Sequence, residues 1–594
     1  MSGRSGKALR RALGARTRRT LLTLGMAVAT TLASLPARAQ TRNEARRAVD
    51  ARQYEQALAL FETLVQAQPE NSDLLIETAR VYGFADRHRQ AVATYRRVLE
   101  VAPARRGDVL AALAWQTLWV GDAASALPLF IEALAYATDA RGRADLWRGQ
   151  GEACAEIGDT LCTLAAYQQA LELQPGDRDL RRRIATAWLW QDDYEQAEQA
   201  WRALLAEDPN DRRSQAGLAR TLNSAGRHNA AVVIYRDIDD GSDADVRFDH
   251  ARALRWSGYD AAALPLLAGR TDADALWLRD WRIARELQPY GSGTIEYSTD
   301  SDRLHIDTQT VAAGALLTPT LLFEGGYRHV NLDGLDGSVG GNRLFGTLRS
   351  AFGTPGEAPP GLLVPALSLG LNDYDGWSPL TGSVSLRWLP TDLWRLVAEV
   401  GREVVETPVA IDNRITVNVA SLGLDYRWPP RWSFGAALSN LRFSDGNDRV
   451  RVTGRFDYAL HFKPRVVVGL EAAAFQSSLP TSFATPPTPG AIGPQGYWNP
   501  KRYAESRVFA AISSDTRPLE WYGRVAIGAS RENDGDGNTS GGSPNLLEAG
   551  VAHDLGPSLR WRLFTGGSGL SFAVGNGGIG HWRRYVGFNL TAWF

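Results

Sequence analysis

From Tyr585 to the C-terminus apolar and polar side chains alternate. Val586, Phe588, Leu590, Ala592 and Phe594 share one parity, and Tyr585, Gly587, Asn589, Thr591 and Trp593 share the other. A period of two predicts a strand. This one ends the chain on an apolar residue, where a soluble protein usually frays into water. The pattern recurs back to about residue 290. In RVTGRFDYALHF (451–462), Val452, Phe456, Tyr458, Leu460 and Phe462 form one face, and Arg451, Arg455, Asp457 and His461 the other. In LWRLVAEVGREV (393–404), Trp394, Leu396, Ala398 and Val400 oppose Arg395, Glu399 and Glu403. Short links bearing proline (Pro319, Pro390, Pro429 and Pro430, Pro464, Pro518, Pro557, with another around Pro359) alternate with long polar ones such as SDGNDR and RENDGDGNTSGGSP. Trp388, Trp394, Trp428, Trp432, Trp521 and Trp561 flank the short links. This asymmetry predicts a C-terminal antiparallel transmembrane β-barrel of about sixteen strands over 290–594, with short periplasmic turns, long outer loops and one aromatic girdle. A secreted β-sandwich is the alternative, but it needs neither the asymmetry nor the girdle. The final strand closes the barrel, leaving no unpaired edge in hydrocarbon.

Upstream of about residue 289 the period changes. YEQALALFETLVQAQPEN (54–71) returns as RQAVATYRRVLEVAPAR (89–105), and CTLAAYQQALELQPGD (162–177) returns as YEQAEQAWRALLAEDPND (194–211). The intervals Pro69 to Pro103, Pro175 to Pro209 and Trp201 to Tyr235 are each 34 residues. This resembles the tetratricopeptide repeat, a helix–turn–helix unit, and the resemblance implies roughly seven units forming an α-helical superhelix over 40–289. Each unit buries its apolar faces only against neighbours, and the stack offers a concave face to peptides, proteins or polymers, or serves as a spacer.

Residues 1–39 read as a signal peptide: seven basic residues without an acid, the apolar run LLTLGMAVATTLA, and Ala37-Arg38-Ala39 before Gln40. Export followed by a barrel places the protein in the bacterial outer membrane, with the repeats in the periplasm. Without the eight cations of the leader, the net charge falls from −1 to about −9, which argues against nucleic acid as a partner. Cys154 closes the first helix of the fourth unit and Cys162 opens the second. In an oxidising compartment they form a disulfide across the turn or remain two small apolar residues. The eight histidines have no metal-ligand spacing, and there is no GxSxG, HExxH, P-loop or Cys–His pair. The expectation is a protein that is not an enzyme and takes no metal or cofactor.

Alternation turns many charged residues to the lumen. The candidates for contact with a passing polymer are Asp307, Glu324, Arg328, Arg395, Glu399, Glu403, Asp425, Arg455, Asp457, Glu471, Arg524 and Glu548, with Glu505, Arg349, Arg387, Arg560 and Arg562 on the same wall. The repeats carry 31 bases and 38 acids and the barrel 26 and 28, totals that favour a neutral or cationic glycan over an anionic one. Periplasmic repeats followed by a sixteen-strand barrel resemble bacterial exopolysaccharide export proteins of the poly-N-acetylglucosamine, cellulose and Pel types. GYWNPKRY (496–503) is similar to a segment of the cellulose-type barrels and supplies Tyr497, Trp498, Pro500 and Tyr503. The resemblance implies an export porin whose repeats guide polymer or recruit partners. It implies a polysaccharide cargo, outer-membrane lipid, periplasmic or inner-membrane synthase components, and the barrel assembly machinery as partners. The alternative is an anchored repeat scaffold or a surface receptor.

Overall fold

The structure is a computed structural model. It describes residues 40–594 apart from 302, 336, 357–360, 429–430, 482–493, 517 and 569–581. The leader at 1–39, the prolines 359, 429 and 430, and the middle of the long link before GYWNP therefore lie outside the described residues. The chain divides into two compact units, Met1–Glu207 and Asp208–Phe594.

The first unit is helical: α1 (40–50), α2 (Tyr54–Ala67), α3 (Ser72–Phe84), α4 (His88–Val101), α5 (Arg106–Trp119), α6 (Ala123–Ala133), α7 (Ala140–Glu156), α8 (Thr160–Leu173), α9 (Arg178–Trp190) and α10 (Tyr194–Glu207). Every second helix buries one aromatic ring: Phe61, Tyr95, Phe130, Tyr167 and Trp201. Small residues let the neighbouring helix close over each ring. A Cβ added at Gly149 would stand 2.2 Å from the Phe130 ring, and one at Gly151 2.4 Å from the Tyr167 ring. Asn71, Asp122, Asp139, Asp159 and Asp177 accept hydrogen bonds from the first free N–H groups of the helices they precede. Cys154 and Cys162 face each other across the α7–α8 turn with their Cα atoms 5.7 Å apart, a spacing that a disulfide spans.

The second unit opens with α11 (Arg212–Ser224), α12 (His228–Ile238), α13 (Ala244–Trp256), α14 (Asp260–Ala263), α15 (Ala273–Leu276) and α16 (Ala284–Leu287), the last two joined by a π-helical turn at Trp277–Ile283. The strands follow as β1 (Tyr290–Asp300), β2 (His305–Thr318), β3 (Leu321–Gly334), β4 (Gly337–Ser350), β5 (Leu362–Tyr374), β6 (Leu380–Leu389), β7 (Trp394–Val404), β8 (Thr416–Trp428) and β9 (Trp432–Phe443). The remainder are β10 (Asp448–Phe462), β11 (Arg465–Ser477), β12 (Arg502–Ser514), β13 (Leu519–Asn533), β14 (Thr539–Gly542), β15 (Leu546–Asp554), β16 (Leu559–Ser568) and β17 (Arg583–Trp593). A short helix, α17 (Pro408–Asp412), lies between β7 and β8. Both β14 and β15 pair with β13, so they are two parts of one crossing and the sheet has sixteen. It closes where β1 pairs with β17, Tyr290 opposite Trp593, and Phe594 N–H donates to Pro289 O at 2.9 Å.

The outward face carries an exposed apolar band that includes Val311, Leu369, Leu422, Val508 and Phe588, as a hydrocarbon environment requires. Trp388, Trp394, Trp428, Trp432 and Trp521 stand exposed beside the short turns, where amphipathic rings prefer the interface. One register detail differs from strict alternation. A bulge between Ala459 and His461 reverses the end of β10, so His461 opposes Val466 and Phe462 opposes Arg465. Phe462 therefore turns to the lumen and His461 away from it, the reverse of the expected assignment.

Candidate functional site

The lumen has three zones. In the middle, charges on inward positions meet across strands. Arg524 on β13 reaches past β12 to Glu471 on β11, which also pairs with Arg507 at 2.7 Å. Arg524 lies 3.6 Å from Glu548, and Tyr585 donates to Glu548 at 3.1 Å. Arg455 and Asp457 pair at 3.0 Å, Ser433 donates to Asp457, and Arg395 pairs with Asp425 at 2.6 Å. Tyr290 donates to Glu324. Glu399 and Glu403 share the inward parity of Arg395 and have no ion pair among the described residues. Most expected wall residues thus line one polar surface of paired signs.

At the long-loop end the wall changes character. The segment after β7 folds inward, and α17 reaches β3 and β4, about four strands round the wall. Ile411 packs with Ile306, Val330, Leu332, Val339 and Tyr374, while Val405, Ala410 and Ile415 pack with Val417, Leu441, Phe443 and Tyr497. Arg328 forks onto Glu406, which also accepts from Tyr374 at 3.0 Å. Burial pushes the Glu406 carboxyl up, but the Arg328 guanidinium outweighs it and holds the group below the usual carboxylate range. GYWNP folds onto the same plug. Gly496 has φ +90°, and a Cβ there would stand 2.3 Å from the Ala410 nitrogen. Tyr497 stacks on Phe443 at 4.3 Å and donates to Asp445 at 2.6 Å. Trp498 donates to Glu532, and Arg449 donates to the Trp498 carbonyl at 2.7 Å. Tyr503 donates to Glu505 at 2.9 Å. Tyr497, Trp498, Pro500 and Tyr503 are all buried, so this motif builds the plug.

The plug also explains a correction. Asp307 stands on the outward face, because it shares the parity of Val311 and opposes Tyr297, itself exposed beside Ile295. Near the loops the usual polarity inverts. Inward positions such as Ile306 and Leu332 meet an apolar plug, and outward ones such as Asp307, His329 and Asn342 are polar.

At the short-turn end the lumen opens into a cavity of about 1270 Å³ between the inner wall and Trp281, Arg282, Arg285 and Glu286 of the helical segment. The helices are sutured to the barrel rim. Arg285 pairs with Asp554 at 2.6 Å, donates to Gly556 O and Pro557 O, and lies 4.3 Å over the Trp593 ring. Arg282 pairs with Glu520 at 2.9 Å. The β6–β7 turn offers the Asp392 carboxylate to the Asn229 backbone N–H at 2.8 Å, at the start of α12. Arg285, Glu406 and Asp392 were not expected from the sequence, because they sit in a short helix or in links and each has a partner far away in the chain, Asp554, Arg328 and Asn229.

Residues 369–490 match the PgaA membrane beta barrel domain, and 48–115 and 163–221 match the tetratricopeptide repeat. No curated protein matches the sequence significantly. Among solved structures, a bacterial polysaccharide outer membrane secretin aligns at 15% identity over 52% of this chain and 99% of its own, with a TM-score of 0.40. A tetratricopeptide repeat protein from Parabacteroides merdae aligns at 14% identity over 41% of this chain and 97% of its own, with a TM-score of 0.35. The barrel lies in the outer membrane, its repeats are periplasmic, and the short-turn end is accordingly the periplasmic mouth. The chain thus joins tetratricopeptide repeats to a membrane β-barrel, part of which matches the PgaA membrane beta barrel domain.

Proposed function

We propose that this protein is an outer-membrane porin that exports a polysaccharide, and that its periplasmic repeats guide the polymer or recruit synthase components. The observation that carries the reading is the middle of the lumen. Arg507, Glu471, Arg524 and Glu548 form a chain of opposite charges along the wall, with Tyr585 added by a hydrogen bond. Such a surface replaces the water around sugar hydroxyls at many points. Its own charges are already compensated, so no single point holds a chain fast. That balance suits a cargo that must bind well enough to enter and weakly enough to leave. The apolar plug at the outer mouth fits the same role, since a conduit wide enough for a polymer would otherwise leak small solutes. The membrane barrel match and the repeat matches agree with this reading.

The test is deletion of the gene with analysis of surface and secreted glycans. Loss of one glycan, restored by the full chain but not by a chain beginning at Pro289, supports export with guidance by the repeats. An unchanged set of glycans overturns export and leaves an anchored scaffold or receptor.

A further inference from the structure

The periplasmic mouth differs in charge from the rest of the molecule. Eight cationic and three acidic side chains line its cavity. Two of the acids are committed, Glu520 to Arg282 and Arg560 and Glu286 to Arg255, and the third, Asp515, has no ion pair among the described residues, so unpaired cations outnumber unpaired acids. Four cations remain without an ion pair among the described residues: Arg349, Lys463, Arg465 and Arg562. Arg349, Arg465 and Arg562 occupy inward positions on β4, β11 and β16, so they face the lumen and not the lipid headgroups. Aromatic rings stand among them. Arg562 lies 5.6 Å from the Tyr522 ring, and Trp281, Phe462 and Trp593 line the same cavity.

Resting on the export reading above, we propose that this mouth selects an acidic polysaccharide, one bearing carboxylate or comparable anionic groups along its chain. A guanidinium offers a carboxylate a planar fork, and an aromatic face beside it offers the sugar ring a surface to pack on. The exported chain is otherwise acidic, so a cluster of uncompensated cations at its entrance is a local feature and not general basicity. Cations focused in a low-dielectric mouth raise the local concentration of an anionic polymer and repel a cationic one. Residue totals for the barrel hide this, because many of its inward acids, such as Glu471, Glu548, Asp457 and Glu406, lie in the middle and at the plug.

The experiment uses the full chain in planar bilayers, with oligogalacturonate, cello-oligosaccharide and chitosan oligomers added to the periplasmic side. The expected result is current block by oligogalacturonate at the lowest concentration, weakening as salt is raised. Joint replacement Arg349→Gln, Lys463→Gln, Arg465→Gln and Arg562→Gln should weaken that block by about tenfold, four exposed charge contacts together. Block by chitosan oligomers at equal or lower concentration overturns the proposal. So does salt-independent block in the unaltered protein, which needs no variant to fold. In cells the two readings separate. Loss of a neutral or cationic glycan on deletion keeps export and refutes the charge assignment, whereas no loss refutes export itself.

Discussion

The two ends of the lumen are built from the same sixteen crossings yet present opposite surfaces. At the outer end, inward positions are Ile306, Val330, Leu332, Leu441 and Phe443, covered by two folded links. At the periplasmic end they are Arg349, Arg465, Glu520 and Arg562, facing an open cavity and a helical segment. The difference teaches that barrel alternation fixes which side chains share a face, while what fills the lumen decides whether that face is apolar or charged. The outer end is apolar where α17 packs; the periplasmic end is polar where an open cavity separates the wall from the helical segment.

The largest effect should come from removing the plug. Replacing 405–415 with a short Gly-Ser link takes away Ile411, Ala410, Ile415 and the Glu406 acceptor together. Single-channel conductance should rise several-fold, and cells should become sensitive to large antibiotics the outer membrane normally excludes. An unchanged conductance would mean that these links do not close the lumen. A milder version is Glu406→Gln, which leaves Arg328 half-partnered. The folded carboxyl is held below its ordinary range, so the pair's contribution is fully present above the unfolded pKa and is lost only as pH falls through the folded one. Unaltered channels should therefore keep one low conductance through neutral and mildly acidic pH and conduct more in strong acid, while the glutamine variant should lose this pH response.

The second effect belongs to the other end. Arg285→Ala leaves the buried Asp554 with only Arg560, 3.8 Å away, and removes both hydrogen bonds to the rim carbonyls, which costs about 3 kcal/mol for a pair this enclosed. Hydrogen exchange should reveal α16 opening while the strands stay protected. Strands that loosen together with α16 would show that helices and barrel form a single cooperative body.

These two sites mark where the sequence was readable. The period of two in 585–594 located β17 and its apolar face, and the 34-residue spacing located the rings now buried at Phe61, Tyr95 and Trp201. Alternation also placed Glu471, Arg524 and Glu548 on one wall. It failed at Asp307, because polarity there reports the plug and not the water-filled side. It failed at Phe462, because a single bulged residue flips everything beyond it. The plug and sutures were invisible for a different reason: Glu406, Asp392 and Arg285 find partners through three-dimensional closure, and no local period encodes such pairs.

A third prediction is a control on the comparison, since it concerns neither end. A Cys154–Cys162 bridge closes a short loop, worth about 2–3 kcal/mol by chain entropy. Cys154→Ser with Cys162→Ser, or reductant, should lower the melting temperature of the helical repeats and leave conductance untouched. Free thiols titrated in the denatured, unreduced protein would rule the bridge out.

The smallest effect sits at the β6–β7 turn. Arg227, the residue at the N-cap of α12, makes no side-chain cap hydrogen bond, and Asp392 fills that role from the barrel by accepting from Asn229 N–H and from the Asn229 amide. Losing a helix cap costs about 1 kcal/mol, so Asp392→Ala should loosen the first turn of α12 by that amount without unseating Arg285. Burial pushes the Asp392 carboxyl above its ordinary range despite the bonds from Asn229. Asp392→Asn keeps the acceptor and removes the charge, and it should cost less than alanine. Exchange rates of the α12 amides, measured in both variants at neutral pH, decide the point. If asparagine loosens the helix as much as alanine does, the charge and not the hydrogen bond holds α12 to the rim, and the periplasmic end is electrostatic in its sutures as well as in its lining.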